Sequence, residues 1–224
     1  MSDRRPIKVL LTGFGPFPGV HTNLSGDFLQ EFEARFSPLG GDVQLRTEVL
    51  DTSWTATEDF ARTVLPNHDP DIALHFGVHR RAGGFRIETR AQNRASPHAD
   101  VDGKVFGKSC LMAEAPSALR SNLPASRLVQ ALLSRGLPAS PSRDAGRYLC
   151  NMLLYLSLLQ SKRNTGFRQT GFIHIPHIAA PSRHTPRTRA RVFDMAALLE
   201  GAEVIVNQCV VHHRRNAQLQ AGSS

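Results

Sequence analysis

Cysteine is scarce in this chain: Cys110, Cys150 and Cys209 are the only three among 224 residues. So sparse and odd a set excludes a disulfide framework. None of the three forms a CxxC pair, and Cys209, close to His212 and His213, lacks the second cysteine that a tetrahedral zinc site would need. Reduced thiols and no metal are expected. Long apolar runs are missing too, since none approaches the roughly 20 residues that cross a bilayer. Met1–Lys8 is polar and carries no hydrophobic signal segment. The expectation is a cytoplasmic protein with no membrane partner. Lysine is rare: of 27 basic residues only Lys8, Lys104, Lys108 and Lys162 are lysine. The formal charge is +8 and the pI about 10.2, which invites a nucleic-acid partner. The arginines group only loosely, at Arg80–Arg81, Arg183–Arg191 and Arg214–Arg215, with few aromatics interleaved. A solvated basic surface is the better reading, and nucleic acid is not an expected partner.

What is present is ordinary globular composition, 41% hydrophobic and 21% charged, which excludes collagen and disorder. A chain of this length hides roughly 70% of its unfolded surface, enough for one core without a staple. The expected unit is a single domain over residues 1–224, with the tail from Gln218 frayed.

Strand and helix signals alternate along the chain. Ile7–Thr12 is a β-branched and aliphatic run stopped by Gly13, Val43–Leu50 is a second strand candidate, and Asp71–Gly77 is a third that again ends in glycine. Asn23 is placed to cap a helix through about Phe36. Asp51, Thr52 or Ser53 is placed to cap another that carries Trp54 and Phe60 up to Pro66. Val78–Val105 reads as a loop-rich insertion with an extended segment near Phe85–Ala91. Leu128–Leu133 reads as helical, Tyr148–Gln160 as an amphipathic helix, Phe172–Ile175 as a strand closed by Pro176, and Arg191–Leu199 as the last helix. Pro138–Ser142 is too short to separate two domains. Alternation of this kind implies an α/β fold with a largely parallel sheet, whose active site would lie at the carboxyl ends of its strands, near Gly13, Gly77 and Pro176.

The loop Gly13-Phe14-Gly15-Pro16-Phe17-Pro18 fails the dinucleotide fingerprint, because Pro18 stands where the third glycine belongs, and it lacks a Walker ending. No cofactor is expected. Phe14 and Phe17 either sandwich a small flat ring or plug the core. Cys150, after the turn Asp144-Ala145-Gly146-Arg147-Tyr148-Leu149, falls in the first turn or two of a helix, where free N–H groups and the positive dipole end favour a thiolate and offer an oxyanion hole. His174 is polar in an apolar strand. Cysteine attack on an amide needs an imidazole to handle protons and a third group to orient it, and Glu88 is a candidate for that third role. Packing or a surface thiol is the bland reading for Cys110 and Cys209, a satisfied sheet histidine for His75, and a solvated surface for His212 and His213.

These residues resemble a known family. Gly13–Phe17 with Asn23, Pro70–Gly77, Glu88 with Ala91 and Asn93, Asp144–Asn151 and Gly171–Pro176 are similar, in order, to the motifs of pyroglutamyl peptidase I, also called pyrrolidone carboxyl peptidase. The likeness runs from about Ile7 to Pro176. It implies a single-domain three-layer α/β/α sandwich and a cytosolic cysteine exopeptidase that removes N-terminal pyroglutamate from peptides without a cofactor. It also implies Cys150 as nucleophile, His174 as general acid and base, Glu88 as its orienting partner, Phe14 and Phe17 flanking the lactam ring, and Asn23 as a polar contact. Family members include monomers, dimers and tetramers, which leaves a homo-oligomer open. The chain departs from the family at Val78, where bacterial members carry glutamine, at Leu24, where proline is usual, and across Arg94–Asp102, with His98 near the place of a family arginine. The departures at Val78 and Arg94–Asp102 prompt one alternative, a related amidase or cyclic-imide hydrolase with an altered pocket; a second, from another class, is a non-catalytic binding protein on the same fold that uses its basic surface.

Overall fold

The computed structural model describes residues 5–16, 22–36, 42–162, 168–177 and 193–221. Phe17 and the Arg183–Arg191 run lie outside them. Six strands form one sheet: β1 (Ile7–Phe14), β2 (Val43–Leu50), β3 (Ile72–His79), β4 (Phe85–Glu88), β7 (Ala139–Ser142) and β8 (Gln169–Pro176), in the order β2-β1-β3-β8-β4-β7. Every neighbouring pair is parallel except β4 with β8. The expected α/β class holds. Two further short strands, β5 (Arg90–Gln92) and β6 (Ala118–Arg120), pair as a separate antiparallel ribbon.

Side-chain alternation sorts the sheet into two cores. Val9 and Leu11, Ile72, Leu74 and Phe76, Ile87, and Ile173 and Ile175 face α1 (Leu24–Arg35), α4 (Ala125–Leu133) and α6 (Met195–Ala221). Leu10, Ala73 and Phe172 face the other way, toward Trp54 and Phe60 of the segment after β2 and toward α5 (Leu149–Ser161). Helices therefore cover both faces, as the three-layer expectation requires.

Several elements depart from expectation for identifiable reasons. The helix after Ser53 does not stop at Pro66: α2 (Trp54–Asp59) runs into a π-helical segment, Phe60–Val64, and then α3 (Leu65–His68). A proline ring clashes with the carbonyl four residues back in a regular helix. Here Leu65 N–H bonds the Phe60 carbonyl five residues back, and the widened turn accommodates Pro66. Left-handed Asp69, at φ 43°, then ends the run. α5 is not amphipathic, because Asn151–Leu158 are all buried, which marks a helix enclosed on every side. The last helix is longer than expected, since α6 covers Met195–Ala221. Its length carries His213 into a buried position, contrary to the surface expected for it. Finally, the Pro- and Ser-rich segment Ala139–Ser142 is an edge strand, where Pro141 removes no ladder bond the interior needs.

Candidate active site

Strand register brings the sequence candidates together. His174 of β8 lies opposite Gly77 of β3 on one side and Arg86 of β4 on the other, and Phe172 lies opposite His75 and Glu88. With period-two alternation, His75, Gly77, His79, Phe172, His174, Arg86 and Glu88 all point toward α5. β4 is what delivers Glu88: running antiparallel beside β8, it sets the carboxylate Oε1 at 2.8 Å from His174 Nδ1. Glu88 is fully buried and His174 nearly so.

Cys150 is the second residue of α5. The first helical bond is made by Met152 N–H to the Tyr148 carbonyl, so the N–H groups of Leu149, Cys150 and Asn151 precede the helical ladder. Asn151 anchors this helix start. Its carboxamide accepts from Gln92 N–H at 2.8 Å and donates to the Gln92 and Arg94 carbonyls at 2.8 and 3.0 Å. Tyr148 is fixed edge-on to Trp54 and through its hydroxyl to the Ala99 carbonyl. Gly77 lies opposite His174 in the ladder, and a Cβ there would stand 3.1 Å from Cys150 Sγ, so the thiol and the imidazole flank the same glycine. Burial opposes charge on His174, but the hydrogen bonds to Cys150 and Glu88 outweigh it and raise its pKa to about 9. The surroundings therefore favour the charged ring.

Gly77 makes this approach sterically possible. A Cβ there would stand 2.8 Å from Phe172 Cζ and 3.1 Å from Cys150 Sγ. Behind His174, the ring of His79 lies edge-on with a centroid separation of 5.3 Å. Burial, helped by the charges of His174 and Arg86, keeps the His79 pKa below its ordinary value. Arg86 is tied to Ser142 Oγ at 2.8 Å and its Nε sits 3.8 Å from Glu88 Oε1. Composition gave no signal for Arg86, Ser142 or Asn151. Only the pairing of β4 with β7 and β8, and of α5 with β5, reveals them.

A cleft of about 310 Å³ opens over Cys150, lined by Phe14, Asn23, Leu24, Val78, Tyr148 and Leu149 among others. Phe14 ends β1 and packs into the α5-side core while forming part of the cleft wall. Asn23 caps α1 and spends its amide on the loop, accepting from Ser25 N–H and donating to the Gly15 carbonyl at 2.9 Å. Thr52 Oγ1 donates to the same carbonyl at 2.8 Å. Gly13 lets α1 approach so closely, since a Cβ there would meet the Ser25 carbonyl oxygen at 1.9 Å. Structure therefore places Cys150, Phe14 and Asn23 in the lining of one cleft, with the His174–Glu88 pair buried on the α5-facing side of the sheet, and Phe17 falls outside the described residues.

The remaining histidines and cysteines sit apart. His75 bonds Thr12 Oγ1 through Nδ1 at 2.8 Å, and burial holds its pKa down to about 3. Its Nε2 has no hydrogen-bond partner among the described residues, so the ring is only half satisfied. Cys209 is buried in the core and Cys110 is exposed. Among the described residues no cluster of three His, Cys, Asp or Glu side chains could hold a metal ion, and no helix is long and apolar enough to cross a membrane.

Comparison with known proteins adds a second line of observation. The sequence profile described as pyroglutamyl peptidase matches residues 7–208. The pyrrolidone-carboxylate peptidase of Pyrococcus furiosus is 34% identical over 173 residues, 77% of this chain and 82% of that one. Pyroglutamyl-peptidase 1 of Homo sapiens is 30% identical over 210 residues, 91% and 97% of the two chains. The crystal structure of pyroglutamyl peptidase I from Bacillus amyloliquefaciens superposes with a TM-score of 0.80 at 25% identity, covering 92% of this chain and 98% of that one.

Proposed function

Because the chain belongs to the pyroglutamyl peptidase family of cysteine omega-peptidases, we propose that it hydrolyses the amide bond after an N-terminal pyroglutamyl residue. The observation that carries the proposal is the buried Glu88–His174 pair beside Gly77, whose other neighbour is Cys150 in the lining of a largely apolar cleft. In this reading the lactam ring lies against Phe14, closed off from chain extension on its own side, and the rest of the peptide leaves through the open mouth. The Cys150 thiolate attacks the carbonyl carbon between pyroglutamate and the second residue. Negative charge gathers on the carbonyl oxygen, within reach of the N–H groups at the start of α5. Collapse breaks the C–N bond, and His174 gives its proton to the departing amine. Neutral His174 then takes a proton from water, whose oxygen attacks the thioester and releases pyroglutamate and the thiol. Glu88 holds the ring with Nδ1 fixed and its other nitrogen turned to the chemistry. A free Cys150 thiol fits a reducing, cytoplasmic setting.

Val78 favours one second reading, a related amidase or cyclic-imide hydrolase, because it presents an apolar wall to the cleft. Release of a chromogenic amine from a pyroglutamyl amide, run beside a prolyl amide with wild type and Cys150→Ala, tests the proposal. Turnover of the pyroglutamyl substrate alone, abolished in the variant, is expected. A folded, reduced wild type that leaves that substrate intact, yet hydrolyses cyclic imides, would transfer the site to the second reading.

A further inference from the structure

The mouth of the cleft carries a guanidinium that the fold does not use. Arg80 follows β3 by one residue, is exposed, and lines the same cleft as Cys150. It makes no hydrogen bond or ion pair among the described residues, in contrast to Arg86, which is tied to Ser142. The cleft floor is built from buried side chains, Phe14, Asn23, Thr52 and Leu149 among them. Arg80, Thr22 and Asp27 mark its exposed rim. An N-terminal substrate enters by its first residue, so whatever follows the scissile bond must leave along that rim.

We propose that Arg80 is a specificity-determining residue that favours pyroglutamyl substrates bearing a carboxylate immediately beyond the scissile bond. That carboxylate is either an acidic second side chain or the free α-carboxylate of a pyroglutamyl dipeptide. The inference rests on the pyroglutamyl reading of the site. Its chemistry is the fork-shaped match of guanidinium to carboxylate. Asp27 on the rim has the opposite sign, but it lies in the first turn of α1, where the positive helix end offsets its field. Arg81 beside Arg80 is exposed, and the chain's formal charge is +8. The net field at the rim therefore attracts anions. A contact made equally in the bound substrate and in the transition state lowers KM and leaves kcat alone.

Three substrates differing only in one side chain separate the terms: the α-amides of pyroglutamyl-glutamate, pyroglutamyl-glutamine and pyroglutamyl-lysine. An exposed ion pair predicts a glutamate over glutamine preference of about two- to fivefold in kcat/KM, carried by KM. That ratio should fall toward one in about 1 M salt and vanish in Arg80→Gln. Comparing pyroglutamyl-alanine with its amide reads the α-carboxylate source separately. Equal rates for glutamate and glutamine together with equal rates for acid and amide would overturn the proposal. So would a preference for lysine, which would hand control of the rim to Asp27, or a preference that survives in Arg80→Gln. Cleavage of all substrates without discrimination defeats only the role of Arg80, whereas a folded wild type that cleaves none defeats the pyroglutamyl reading and this inference with it.

Discussion

Gly77→Ala is the most informative single change, because it adds one methyl group between the nucleophile and the wall of the cleft. The new Cβ would stand 2.8 Å from Phe172 Cζ and 3.1 Å from Cys150 Sγ, where carbon atoms at ease sit roughly 3.5–4.0 Å apart. Phe172 is fully buried in the α5-side core and has nowhere to retreat. The thiol can turn about its single side-chain torsion, so it yields most. A displacement of about 1 Å at a reacting atom costs on the order of 100-fold in rate, and overpacking of this size costs about 1–3 kcal/mol of stability. For a chain of this length that is roughly 2–12 °C in Tm. The assay is kcat on a pyroglutamyl amide, with Tm and the stoichiometry of Cys150 alkylation measured on the same preparation. Loss of kcat in a folded protein whose thiol still alkylates is expected. A kcat within twofold of wild type at unchanged Tm would refute the contact between Gly77 and the reacting sulfur.

Four further outcomes follow from the same geometry. His174, raised to about 9, must be protonated to serve the leaving amine, so kcat should fall as pH rises through about 9. By linkage its stabilising effect is complete below pH 6.5 and is lost between there and about 9, which pH-dependent Tm values in wild type and His174→Gln would compare. Glu88→Gln keeps the shape but removes the charge that pairs with the imidazolium; kcat should drop by about 10³-fold or more with KM little changed, and a drop under tenfold would remove Glu88 from the orienting role. Asn151→Ala deletes three hydrogen bonds at the start of α5 and should cost about 2–4 kcal/mol in urea unfolding. Asp71, buried and bonded by Arg5, Arg168 and Lys8 N–H, has its pKa lowered because those bonds outweigh burial. Its contribution is present above pH 3.8 and is lost as pH falls through its lowered value, so Asp71→Asn should unfold with a flatter acid limb.

Local pattern was legible where it is decided locally. The strand expected over Val43–Leu50 is β2 from end to end, Asn23 caps the helix its type predicts, and Pro176 ends β8, while β3 runs two residues past Gly77 to His79. What stayed hidden depends on neighbours distant in sequence. Glu88 and His174 are 86 residues apart, and no spacing rule says that β4 inserts antiparallel beside β8. Leucines in α5 look the same whether one face is buried or all are, so the enclosed helix read as amphipathic. His213 read as surface because the length of α6 was not visible, and the strand Ala139–Ser142 was not foreseen because β propensity is weak at an edge that only its neighbour specifies.

Enclosure of α5 has a consequence for how the protein can change over time. Asn151–Leu158 are buried on every side, so the bonded amides of that stretch open only when the sheet face and the segments packed over it part, and Cys150 is held at the head of a rigid element. The rim residues Thr22, Asp27 and Arg80 belong to exposed turns and a helix end, where substitutions cost little stability. Reactivity and choosiness are therefore inherited separately: drift at the rim can reassign which peptides are preferred, generation after generation, without disturbing the sulfur that cuts them.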